Sequence, residues 1–135
     1  MQAVVSLLSP DWGLLILRIG VAVVFFVHGL PKIKNVGQTA GFFTQANIPM
    51  PVVSAWIVAL VETLGAILLV LGLGTRVMAL GMAFAMLVAI KVVKIGMAKA
   101  KFSGGWEFEF ILGMAALALV FTGAGALALD AGLGW

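Results

Sequence analysis

Cysteine is absent from this 135-residue chain. That excludes disulfide staples, thiolate metal sites, iron–sulfur ligation and any thiol–disulfide relay run by the chain itself. Charge is also scarce: 10% of residues are charged, against about 25% in a soluble domain. The single histidine can supply at most one axial bond to a haem. Residues 1–12 have neither the positive n-region nor the small-residue cleavage site of a signal peptide, so the N-terminus is expected to be uncleaved. What fills the chain instead is apolar: 64% hydrophobic residues and a mean hydropathy of +1.25. A membrane-spanning helix needs about 20 mostly apolar residues at 1.5 Å rise each. The length therefore predicts four spans with short connections, a single all-α integral membrane four-helix bundle, and no room for a separate soluble domain.

The first span is expected over about residues 12–30, opened by Ser9-Pro10-Asp11 and closed at Gly29-Leu30-Pro31, because an acidic cap and an early proline suit a helix start. Residues 31–51 are mixed, with Phe42 and Phe43 in a polar stretch ended by Asn47-Ile48-Pro49-Met50-Pro51. They read as a short interfacial or re-entrant helix. The second span, about 52–73, and the third, about 76–93, are separated only by a Gly72-Leu73-Gly74-Thr75 turn and must form a tight antiparallel hairpin. A basic, glycine-containing loop precedes a fourth span over about 107–129. Trp12, Trp56 and Trp106 fall at span ends, where aromatic belts are expected.

The net charge of +3 reports orientation rather than nucleic-acid binding. The loops after spans one and three hold Lys32, Lys34, Lys91, Lys94, Lys99 and Lys101, while the other side offers Arg76 and the amino group. Since lysine and arginine collect on the cytoplasmic side, both termini are expected outside and both long loops in the cytoplasm.

Ionisable residues within spans are costly in hydrocarbon and so are informative. They are Arg18, His28, Glu62 and Glu109, with Lys32 and Glu107 at the boundaries. At 100° per residue, Arg18, Ala22, Phe25, Gly29 and Lys32 share about 80° of arc on the first helix. Glu62 falls with Ala55, Ala59 and Ala66, and Glu109 with Gly113, Ala116 and Gly123. Each charge thus lies on the small-residue face that packs against other helices in a membrane. One reading makes these residues structural, with Arg18 and Glu62 as a buried ion pair and Lys32 paired to Glu107 or Glu109. The other makes them a site, in which Glu62 and His28 move protons and Arg18, Lys32, Glu107 and Glu109 bind a ligand. His28 with Glu107 and Glu109 is a weak metal pattern, and no metal site is assigned. Met78, Met82 and Met86 recur at helical spacing and read as flexible packing.

Taken together, LRIGVAVVFFVHGLPKI, GFF with NIPMP, VALVETLGAILLVLGLGTR and the Gly-Gly-Trp-Glu-Phe-Glu entry to span four resemble the DoxX family of small bacterial membrane proteins, over about residues 14–129. The resemblance rests on Arg18, His28-Gly29 with Lys32, Glu62 with Gly65, and Gly72 with Arg76. It implies a four-helix protein of the bacterial inner membrane and a link to oxidoreductase systems, including quinone-linked electron transfer and redox-stress detoxification. Two functions compete. One is a quinone-linked oxidoreductase component with no intrinsic cofactor, holding a lipophilic ligand between its helices and receiving electrons from a soluble redox enzyme. The other is a non-catalytic scaffold that docks such an enzyme. A homo-oligomer is open under either, and a transporter is disfavoured because no inverted repeat or paired broken helices are present.

Overall fold

In a computed structural model the chain is described over residues 8–134; residues 1–7, part of the segment read above as an uncleaved start, and Trp135 lie outside the described residues. The protein is all-α, 83% helix with no strand among the described residues, and four of its helices are long and apolar enough to cross a membrane. Helix α1 spans Pro10–Lys34, α2 Val36–Gln45 and α3 Pro51–Leu71. Helix α4, Thr75–Val88, runs on as a π-helical segment over Ala89–Met97. A kinked, non-helical turn over Phe102–Trp106, with Ser103 extended at ψ 125° and Gly104 left-handed at φ 71°, leads into α5, Glu107–Thr122, and a short α6 covers Leu129–Leu133.

The boundaries differ from the sequence expectations for local reasons. Pro10 takes the first-turn position of α1, where its missing N–H costs nothing. Asp11 does not cap its own helix; its carboxylate accepts a hydrogen bond from the Ala126 N–H at 2.7 Å. Pro31 does not end α1. A proline removes one intrahelical donor, but the last turn is still closed, with the Asn35 N–H donating to the Pro31 carbonyl at 3.1 Å. The fourth span stops at Thr122 rather than near residue 129, because Gly123 and Gly125 take φ of 75° and 78° and turn the chain back over the start of α1.

The hairpin between the second and third spans is as tight as expected, α3 ending at Leu71 and α4 starting at Thr75. Its turn depends on Gly72 in two ways. Gly72 is left-handed at φ 67°, the usual helix-ending geometry, and a Cβ there would overlap the Arg18 guanidinium and Ala128.

Helix α1 packs mainly on α3, and α4 mainly on α5, with α2 lying along α3. The α1–α3 crossing is closest at Gly29: a Cβ at this position would sit 2.6 Å from Glu62 Cβ and 2.8 Å from the Glu62 backbone carbon. Small residues permit such approaches in membrane bundles, where packing rather than hydrophobic transfer holds helices together. The core includes Ala22, Phe25, Ala66, Leu69, Met82 and Leu119, while Ile16, Val27, Leu64, Leu80 and Phe121 face outward. A bundle apolar both inside and out matches lipid as its surroundings. The methionines pack as expected: Met82 is fully buried, and a Cβ added at Gly65 would meet the Met78 and Met82 side chains, as one at Gly113 would meet Met86.

Candidate functional site

The buried charges separate into two groups at opposite ends of the α1–α3 contact. At one end Arg18 is fully buried, donating from Nη2 to the Leu127 carbonyl at 2.5 Å and from Nη1 to the Leu69 and Val70 carbonyls, each at 3.4 Å. Carbonyls in the last turn of a helix lack intrahelical partners and carry the negative end of its dipole, so a guanidinium is well matched to them. Beside it, the Asp130 carboxylate accepts from the N–H groups of Gly74 at 2.7 Å and Thr75 at 2.9 Å, capping the start of α4. Burial pushes the Asp130 carboxyl up, but those N–H groups and the Arg18 charge outweigh it and hold it below the usual carboxylate range. This cluster ties the return segment to the α3–α4 hairpin.

The other end is different. Lys32 Nζ meets Glu62 Oε2 at 2.5 Å, and Lys94 Nζ meets Glu109 Oε1 at 3.1 Å. Glu62 is 2% exposed, held by the Gly29 crossing; Lys94 comes from the π-helical segment and Glu109 from the first turn of α5. All four side chains line one half-open cavity of about 700 Å³, within the range of small-molecule sites. The rest of its wall is largely apolar and includes Phe42 and Phe43 of α2, Ile57 and Val58 of α3, and Phe84 of α4. Ile57 and Phe84 are also exposed on the outer surface of the bundle, so the cavity borders the lipid-facing side. Glu109 Oε2 is buried with no hydrogen-bond partner.

Two pairings differ from the sequence expectations. Arg18 does not meet Glu62, and Lys32 meets Glu62 rather than Glu107 or Glu109. The reason is helix register: crossing at Gly29 sets Glu62 beside the end of α1, and Arg18, eleven residues earlier, lies about 16 Å back along the helix. Of the residues proposed to bind a ligand, Lys32 and Glu109 line the cavity, whereas Arg18 and Glu107 do not. Glu107 accepts a hydrogen bond from the Gly104 N–H at 2.9 Å and shapes the turn into α5. Glu62 lines the cavity, and His28 lines a smaller adjoining one. Lys94 was read from sequence only as a loop charge. The signal that could have marked it is its acidic counterpart Glu109 across the short connection. Among the described residues, no group of three or more His, Asp or Glu side chains draws together as a metal site would require.

This arrangement sits on a recognisable sequence. The DoxX family profile matches residues 13–95, which takes in Lys32, Glu62 and Lys94. The chain belongs to the DoxX family. A relative from Bacillus subtilis (strain 168), named "Putative oxidoreductase CatD", is 37% identical over 122 residues, covering 90% of this chain and 87% of the relative. "Inner membrane protein YphA" of Escherichia coli (strain K12) is 33% identical over 126 residues, covering 87% of each. No solved structure matches the chain significantly. As a DoxX-family protein with four helices long and apolar enough to cross a membrane, the chain is a membrane protein.

Proposed function

We propose that this DoxX-family protein is the membrane component of a quinone-linked oxidoreductase system, and that the cavity between α2, α3 and α4 takes the ligand. The observation that carries the reading is the composition of that cavity: an apolar space reaching the lipid side and closed at its inner end by Lys32, Glu62, Lys94 and Glu109. A flat, lipophilic ring suits the apolar part of the wall, and its carbonyl oxygens, which only accept, suit the ammonium donors of Lys32 and Lys94. A quinone, when bound, would supply electron-accepting chemistry that the side chains of this cysteine-free sequence do not.

The chain's own residues then have defined tasks. Lys32 and Lys94 donate hydrogen bonds and keep the inner end of the cavity electrically balanced with Glu62 and Glu109. A carboxyl group at either glutamate holds or releases a proton at the inner end. Phe42, Phe43 and Val58 exclude water from the outer part. Electrons come from a soluble donor, for which the exposed Lys91, Lys99 and Lys101 form a basic docking face.

The test is binding of a short-chain benzoquinone to the purified protein. Saturable binding is expected for the wild type, and Glu62→Gln, which removes the ion pair that positions Lys32, should weaken it by about 10- to 100-fold, the worth of the charge-assisted hydrogen bond from Lys32 that is then misplaced. If the wild type binds no quinone while remaining folded, the scaffold reading replaces this one.

A further inference from the structure

The large cavity shares its inner wall with a second chamber of about 150 Å³. Lys32, Glu62 and Glu109 line both spaces, and His28 lines only the small one. His28 is exposed at the surface, its ring against Phe108 with centroids 6.0 Å apart. The small chamber therefore runs from a surface imidazole to the ion pairs that close the ligand cavity. Its wall is mixed, with His28, Lys32, Glu62 and Glu109 set among apolar side chains such as Phe25 and Phe108, and water settles in such a space where two to four polar partners lie within reach. Glu109 Oε2, buried without a partner, is the atom such water would satisfy.

We propose that this small chamber is a water-filled inlet through which protons pass between the aqueous phase on the side of the two long loops and the inner end of the large cavity, by way of His28 and Glu109. In one passage protonated His28 gives a proton to the chamber water, Glu109 takes one from that water, and His28 is recharged from bulk. The net change is one proton moved from bulk to Glu109, with no change of oxidation state. The charged groups that face this path come from every packed element: Lys32 from α1, Glu62 from α3, Lys94 from the π-helical segment and Glu109 from α5. The inlet deepens the ligand reading of the large cavity, on which it rests, by assigning the side of the membrane with which its protons exchange. Neither Arg18 nor Asp130, the buried charges toward the opposite side, lines either space.

The absence of cysteine makes the chain a ready background for accessibility measurements. Val24 lines only the small chamber and Val58 only the large cavity. In proteoliposomes, Val24→Cys should react with a charged, membrane-impermeant thiosulfonate added on the long-loop side and not from the other side. Adding His28→Phe should slow that reaction by about tenfold, since the reagent needs a wetted path to the thiolate. Leu112→Cys on the α5 wall serves if Val24→Cys fails to fold, and Val58→Cys should respond to the same reagent more slowly than either. Labelling of Glu109 in the wild type by a hydrophobic carbodiimide, which couples to the protonated carboxyl, should follow the pH of the long-loop side when a pH gradient is imposed.

Unreactive cysteines in folded protein, equal reaction from both sides, or Glu109 labelling that ignores long-loop-side pH would overturn the inlet. Quinone binding is read separately. Loss of quinone binding with sided labelling intact sinks the quinone reading and leaves the inlet standing, whereas the reverse result sinks the inlet alone.

Discussion

Asp130 shows how one carboxylate holds a fold end together. It is 6% exposed and accepts two backbone N–H bonds at the start of α4, so its folded-state pKa lies below the unfolded value. A carboxyl depressed in this way contributes stability above its unfolded pKa, near 4, and that contribution is lost as pH falls through the lower folded value. Asp130→Asn should therefore cost about 1–3 kcal/mol at neutral pH, read as a lower unfolding temperature in detergent, and the gap to wild type should close below about pH 4. At Gly29 the limiting factor is space. Gly29→Ala places a methyl group against the Glu62 backbone, which no rotamer change relieves. It should destabilise by roughly 1–3 kcal/mol as an overpacked contact and weaken quinone binding as Lys32 is displaced from Glu62. A stability loss with unchanged binding would separate the crossing from the site.

The element that aims the second ion pair is the π-helical segment Ala89–Met97. Bonds reaching five residues back, such as the Ala98 N–H to the Val93 carbonyl at 2.9 Å, widen the helix and turn it less per residue than an α-helix. Over the six residues from Val88 to Lys94 this shifts the lysine by about 100° from its α-helical direction. Deleting one residue from the exposed end, such as Ile95, removes the surplus that a π segment accommodates. We expect the deletion to fold, to retain the Lys32–Glu62 pair, and to lose quinone affinity about tenfold. Unaltered affinity would show that Lys94 takes no part in binding. Sequence periodicity marked the long spans, the hairpin at Gly72 and the inward faces of Glu62 and Glu109, because apolar length and small-residue stripes are local properties. It did not mark the π segment, which has no apolar signature of its own. Nor did it mark the turn-back after Thr122, since the residues beyond are as apolar as the span before them. The partner of Lys32 was hidden for another reason: hydropathy sets where a helix lies, not how far it slides along its neighbour.

At the scale of the whole molecule, the ion pairs sharpen the prediction of orientation. Lys32 and Lys94 are matched by Glu62 and Glu109 within the bundle. The lysines left to act on the membrane at the long-loop end are Lys34, Lys91, Lys99 and Lys101, all exposed. The opposite end presents the exposed Arg76, whereas Arg18 is buried on helix carbonyls. We therefore propose that the long loops are cytoplasmic, with both termini outside, on the rule that short cytoplasmic loops retain lysine and arginine. A periplasm-active reporter fused at either terminus should be active, and one fused after Lys99 inactive. Exchanging Lys91, Lys99 and Lys101 for glutamine while adding three lysines before Pro10 should give mixed or inverted insertion. If that variant keeps its orientation, the charge bias does not set topology here. The same change would test the sidedness of the inlet, because an inverted protein should take its protons for Glu109 from the periplasmic phase.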